Sequence, residues 1–232
     1  MRAVLRALAA LLGYPSAELV AHAGDVRRAL REDGILSAPT LSGLDPLLAN
    51  LEHEDLLDLQ AAYSELFDRS RKLSLHLFEH VHGDSRERGQ AMIDLGQQYA
   101  QSGFLLDTSE LPDFVPVFLE YASCLPADEA RETLAQPVHV FAALAERLDE
   151  RQSPYAGIFH ALVALAQVRP DPDALAELEE RTPADDPAKI DEEWEEAPVT
   201  FLGSGAHEMG GPTGVVAKIR ASNRRVTQET GQ

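Results

Sequence analysis

Leucine and alanine recur at helical spacing along almost the whole chain, and they far outnumber isoleucine and valine. No run alternates apolar and polar residues for long enough to make a half-buried strand. Glycine and proline cut the pattern into segments: Gly13 with Pro15, Gly34, Pro39, Gly83, Gly103, Pro112, Pro126, Pro137, Pro154, and Pro170 with Pro172. The spacing predicts helices over 2–12, 16–32, 44–51, 54–68, 72–82, 85–102, 112–124, 127–135, 138–151, 154–168 and 172–181. Asp84-Ser85-Arg86-Glu87 has the form of a capping box with Asp84 as N-cap. Gly83 is expected to end the helix before it and Gly103 the helix after it. The expected fold is all-α: one compact multi-helix domain of about ten or eleven helices over residues 1–181.

Past Arg181 the character changes. Residues 182–202 are acidic and proline-punctuated, and read as a linker or arm in which Trp194 is a possible anchor. Residues 203–232 are glycine-rich with little to form a core, which predicts an extended or disordered tail. The net charge is −19; from residue 197 onward four basic residues face two acidic ones, which leaves −21 on residues 1–196. Such a field repels nucleic acid and anionic lipid and favours basic partners.

The opening MRAVLRALAALLGYP lacks the form of a secretion signal, because Arg6 interrupts its apolar run and more helix follows without a convincing cleavage site. No window reaches the roughly 18 apolar residues of a membrane span. A cytoplasmic protein is expected. The one cysteine, Cys124, permits no intrachain disulfide and reads as a buried, inert thiol.

Three of the eight histidines fall in LSLHLFEHVHGDSRERGQAM, residues 73–92, where His76, Glu79 and His80 spell the H-x-x-E-H signature of inverted zinc peptidases. On one continuous helix, Leu73, Leu75, Leu77, Phe78 and Val81 would take one side and the triplet the other. Two histidines four residues apart can share a metal, but a catalytic zinc needs a third ligand and a cleft. Glu110 and Glu120 are available as ligands, yet no second motif marks them. A solvated helix face is the plain reading. No phosphate-cradling loop, nucleophile elbow or paired carboxylates appear, so no enzyme is expected.

LLGYP near the start, YSELFDRSRKLSLHLFEHVHGDSRERGQAMIDLGQQYAQSGFLLDTSELPDFVPVFLEYAS through the middle, and DEEWEEAPVTF near the end resemble the nitrate reductase molybdenum cofactor assembly chaperones. These are the NarJ subfamily of the TorD/DmsD chaperones, and the likeness covers roughly residues 5–202. It implies an all-helical, cytoplasmic, non-enzymatic protein with no permanently bound cofactor. Such a chaperone binds the N-terminal segment of the apo catalytic subunit of respiratory nitrate reductase. It keeps that subunit competent while the bis-molybdopterin guanine dinucleotide cofactor and an iron–sulfur cluster are inserted, then leaves. Cofactor-delivery proteins are further implied partners; nucleic acid and membrane insertion are not. A chaperone of the same fold serving another molybdoenzyme is the alternative, and a zinc hydrolase the remote one.

Candidate client-binding residues follow from the matching block. Asp68 and Arg69 follow YSELF, and Arg69, Arg71 and Lys72 form a basic patch that reads as a rim or as ordinary helix-end charge. His80, His82, Asp84 and Arg86 span the turn between helices, where capping and simple pairing compete with binding. Phe114, Val117, Phe118 and Tyr121 recur at helical spacing, as a core stripe with an edge toward a groove. Phe67, Leu77 and Met92 are core residues first and groove residues second. Glu79, Glu110 and Glu120 would supply an acidic rim.

Overall fold

The computed structural model describes residues 1–83, 85–106 and 110–181, so Asp84, the acidic segment 182–202, Trp194 and the tail 203–232 lie outside the described residues. Among the described residues there are twelve α-helices and one 3-10 turn, with no strand. The helices are α1 (Arg2–Leu12), α2 (Ala17–Ala21), α3 (Ala23–Glu32), α4 (Ala38–His53), α5 (Leu56–Phe67), α6 (Leu77–His82), α7 (Glu87–Gln101), α8 (Val115–Cys124), α9 (Ala127–Ala135), α10 (Val138–Glu150), α11 (Ala156–Ala166) and α12 (Pro172–Arg181). The 3-10 turn is Arg71–Leu73. The all-α expectation holds, with the helices slightly more numerous than the breakers suggested.

The core is built on the leucine pattern. Val4, Leu5, Leu8, Leu11 and Leu12 make α1 a central strut, packed against α8 through Val115, Phe118 and Leu119. Phe141, Leu144 and Leu148 of α10 meet Ile158, Phe159 and Leu162 of α11, all without exposed surface. A second contact of α11 depends on having no side chain at all. A Cβ placed on Gly157 would lie 2.7 Å from the carbonyl carbon of Gly43, a separation real Cβ atoms do not show, so α4 and α11 cross backbone to backbone.

Three boundaries outside the extended stretch of the α6–α8 region, and the burial of Cys124, differ from the sequence expectation. Residues 16–32 form two helices, because His22 leaves the helical region at φ −107°, ψ 12°. Pro39 does not break α4 but sits in its first turn, behind a Ser37 hydroxyl that accepts the Thr40 N–H. Helix α7 starts at Glu87, not 85, with Arg86 at the N-cap position, and the Ser85 hydroxyl accepts the Glu87 N–H; Asp84, the expected cap, lies outside the described residues. Cys124 is exposed at the end of α8, not buried. Gly83 and Gly103 do stop their helices, at φ +53° and +78°.

Candidate functional site

The largest departure falls on the H-x-x-E-H stretch. Residues 74–76 are extended, and Leu73, Leu75 and Leu77 point inward at 0%, 3% and 4% exposure. That is the period of a strand, and Leu-Ser-Leu-His-Leu carries it in the sequence, too short to stand out among helices. The stretch pairs antiparallel with residues 113–115. His76 opposes Phe114, the Leu77 N–H donates to the Asp113 carbonyl at 3.0 Å, and the Val115 N–H to the Leu75 carbonyl at 2.8 Å. Because Asp113 and Phe114 serve this bridge, α8 begins at Val115 and not at Pro112.

Asp113, fully buried, closes the junction. Its Oδ1 accepts from His76 Nδ1 at 3.2 Å and its Oδ2 from the Phe78 N–H at 3.1 Å, which caps the start of α6. The His76 ring also lies 5.3 Å from that of Phe114. His76 is therefore an N-cap residue off the helix, and the expected polar helix face of His76, Glu79 and His80 does not exist. His80 is buried and donates from Nε2 to the Ser74 carbonyl at 2.8 Å. Glu79 pairs with Arg88 of α7 at 3.0 Å. The two histidines have opposite electrostatics. The hydrogen bond to Asp113 raises the His76 pKa above its ordinary value against the opposing effect of burial, and burial lowers that of His80. Among the described residues no three His, Cys, Asp or Glu side chains gather as a metal site.

From below, Arg147 of α10 reaches the same stretch. Its guanidinium, with the side chain 8% exposed, donates to the Lys72 carbonyl at 2.8 Å and to Glu179 of α12 at 2.8 Å. One buried cation thus ties the 3-10 turn and the last described helix to the core.

Above the junction lies open surface. A hollow of about 470 Å³ is lined by Glu79, His80, Val81, His82, Gly83, Ser85 and Glu87. A second, of about 550 Å³, is lined by Gly83, Ser85, Arg86, Arg88, Gly89, Met92 and Leu111. The two share Gly83 and Ser85 and make one trough across the α6–α7 turn. Val81 and Leu111 are 41% and 47% exposed beside it.

The sequence-derived candidates divide accordingly. Glu79, His80, His82, Arg86 and Met92 line the trough. Phe114 and Val117 are half-buried, the edge of their stripe. Phe67, Leu77, Phe118 and Tyr121 are buried, Phe67 within 5.1 Å of the Tyr155 ring and Tyr121 within 4.3 Å of that of Tyr99. Asp68 is exposed at the end of α5, and Arg69 is exposed and paired with Glu65; neither lines the two hollows. Asp113, Ser74, Arg147 and Leu111 were not singled out by sequence reasoning. A lone aspartate in LPDF gives no sign that its partner lies 37 residues earlier.

Comparison with known proteins places this arrangement. The family described as nitrate reductase delta subunit matches residues 35–161. NarJ of Escherichia coli K12, named a nitrate reductase molybdenum cofactor assembly chaperone, is 45% identical over 193 residues, covering 83% of this chain and 82% of that protein. The chain belongs to the nitrate reductase molybdenum cofactor assembly chaperones. This chaperone is also 40% identical over 200 residues to NarW of the same organism, described as an assembly chaperone of the same kind, with 86% and 84% of the two chains covered. A crystal structure described as that of a redox enzyme maturation protein from Archaeoglobus fulgidus shares the fold. Its TM-score is 0.52 at 22% identity, over 72% of the chaperone and 94% of that chain. As its relatives are, the chaperone is an assembly factor and not an enzyme. No helix among its described residues is long and apolar enough to cross a membrane.

Proposed function

We propose that this chaperone works in the cytoplasm, binds the N-terminal segment of the apo catalytic subunit of respiratory nitrate reductase, and keeps that subunit competent for insertion of bis-molybdopterin guanine dinucleotide. The cofactor is cargo for the client, and the chaperone departs before the enzyme works. The observation that carries the reading is the 45% identity over 83% of the chain to a chaperone named for molybdenum cofactor assembly of nitrate reductase.

The physical chemistry supports the same partner. A net charge of −19 attracts a basic segment from a distance and orients it on encounter. The trough over the α6–α7 turn offers Val81, Met92 and Leu111 as apolar contacts, with Glu79 and Glu87 at its rim. Three apolar anchors contribute about 1.5–3 kcal/mol each before ordering costs are subtracted. Before those costs, that is much of the roughly −8 kcal/mol of a micromolar complex. Such an affinity suits a protein that must let its client go.

Calorimetric titration of a synthetic peptide, the N-terminal segment of the cognate nitrate reductase catalytic subunit, tests the reading. Saturable one-to-one binding that weakens with added salt is the expected result. No binding of that peptide, with binding of the corresponding segment from another molybdoenzyme, would replace the client.

A further inference from the structure

Of the three histidines in the H-x-x-E-H stretch and its turn, only His80 packs inside the fold, at 5% exposure, and it lines the 470 Å³ hollow as well. Its Nε2 faces the Ser74 carbonyl at 2.8 Å. A carbonyl can only accept, so the ring proton sits on Nε2. Burial lowers the pKa of the ring and keeps it neutral, with Arg147 acting in the same sense. Nδ1 is therefore a bare acceptor, and among the described residues the bond to Ser74 is the only one the ring makes. No side-chain nitrogen or oxygen among those residues is both sealed from solvent and without a partner. Nδ1 must then keep an opening, and the opening beside His80 is the hollow.

The other groups around the hollow narrow what that acceptor can meet. Glu79 and Glu87 line it too, the first half-buried and the second exposed on the first turn of α7. Glu79 holds Arg88 through Oε1, which leaves its other oxygen as an acceptor. The arginines of the turn, Arg86 and Arg88, line the neighbouring hollow and not this one. Two carboxylates and a bare imidazole nitrogen disfavour an anion. A metal ion is not served either, because among the described residues no three His, Cys, Asp or Glu side chains gather as a metal site. What fits is a group that brings both N–H donors and positive charge, an ammonium or a guanidinium.

Resting on the client reading above, we infer that His80 Nδ1, with the Glu87 carboxylate on the same hollow, is the recognition site for one cationic side chain of the client's N-terminal segment. The imidazole nitrogen accepts one N–H of the ammonium or guanidinium, and the carboxylate balances its charge. A flexible rim carboxylate attracts any cation that comes near. An acceptor held in place by Ser74 and buried on its other sides offers a single direction, so it selects a cation by position as well as by charge. Without the client a water molecule can serve Nδ1 equally well, so the fold does not depend on this contact.

NMR of the histidine ring nitrogens in the isotope-labelled full chain, titrated with the synthetic N-terminal peptide, tests this. At saturation the Nδ1 resonance of His80 should move upfield, as a nitrogen does on accepting a hydrogen bond, while Nε2 keeps its place. Replacing the lysines and arginines of the peptide by glutamine one at a time should cancel that movement at a single position. The same replacement should weaken binding about tenfold, the scale of a hydrogen bond to a charged group. His80→Gln keeps an N–H at the ε position for Ser74 and lacks the δ acceptor. It should weaken binding of the unaltered peptide about tenfold and no longer distinguish it from the altered one, a coupling that a merely structural role does not produce. If His80→Gln does not fold, the wild-type nitrogen shifts decide alone. Peptide binding with Nδ1 unmoved, or a movement that survives every single replacement, overturns the inference and leaves the client reading standing. If the wild type does not bind the peptide at all, the client reading fails and takes this inference with it.

Discussion

Asp113 holds His76 and Phe78 at once, one carboxylate oxygen on the imidazole Nδ1 at 3.2 Å and the other on a backbone N–H at 3.1 Å. A carboxylate with no exposed surface joins two segments 37 residues apart in sequence. Asp113→Ala removes both bonds and leaves the Phe78 N–H without its acceptor. The expected loss is about 2–4 kcal/mol, the range for an unsatisfied buried donor plus a lost charged bond. Asp113→Asn keeps an acceptor oxygen and should lose less than half of that. Urea denaturation of the two variants decides; equal stability to wild type would mean that the junction is held by its apolar contacts alone.

His76 and His80 should respond to pH in opposite senses. The His76 pKa is raised in the fold, chiefly by Asp113, with Glu79 adding to it and Arg88 and burial opposing it. Its stabilising contribution is complete below the unfolded value near 6.5 and fades as pH rises through the higher folded value. The His80 pKa is lowered, chiefly by burial and further by Arg147, against the Ser74 bond, Glu79 and Asp113. Its contribution is present above the unfolded value and is lost as pH falls through the lower folded value. Histidine ring resonances followed by NMR should show His76 titrating above 6.5 and His80 below it, and the reverse order would refute the assigned roles.

The glycine crossing predicts an asymmetry between two identical substitutions. Gly157→Ala drives a Cβ into the Gly43 backbone and forces α4 and α11 apart, with an expected loss of about 3 kcal/mol or more. At Gly43 a Cβ would come no nearer than 4.0 Å to Gly157 Cα, an ordinary contact. Gly43→Ala should therefore be neutral, or stabilising by up to about 1 kcal/mol through helix propensity. Thermal melts of the pair compare them directly.

Arg147→Met tests the tie beneath the site. It removes a donor from the Lys72 carbonyl and the cation facing Glu179. Glu179 is half-exposed, so its ion pair adds little, and the main loss comes from the buried backbone bond. We expect a destabilisation of about 1–3 kcal/mol. Amide exchange should quicken in α12 and around residues 71–75 and stay slow in α1. Uniform acceleration across the chain would contradict a local tie.

Most of the architecture was legible because most of it is local. Helices α1, α9 and α12 begin and end where the periodicity and the breakers put them. The extended residues 74–76 were not legible, because three helical-looking leucines were weighed as part of a longer helix while the decisive partners, Asp113 and Val115, lie far along the chain. Tertiary hydrogen bonds overrode a local pattern there. The candidate site was half legible for a related reason. A motif marks Arg86 and Met92, but nothing short of packing separates them from Phe118 and Tyr121, which the core absorbs. Leu111 looked like any loop leucine until the hollow beside Gly89 placed it.

The ties of the 72–78 stretch span long intervals of chain, 37 residues from His76 to Asp113 and 75 from Lys72 to Arg147. Helical turns close within microseconds on neighbouring residues, whereas such loops form only after the distant segments are in place. This stretch is thus expected to assemble later than the helices around it. Once formed, its buried leucines and the fully buried Asp113 commit it to the core, so it is expected to open with the core and not ahead of it.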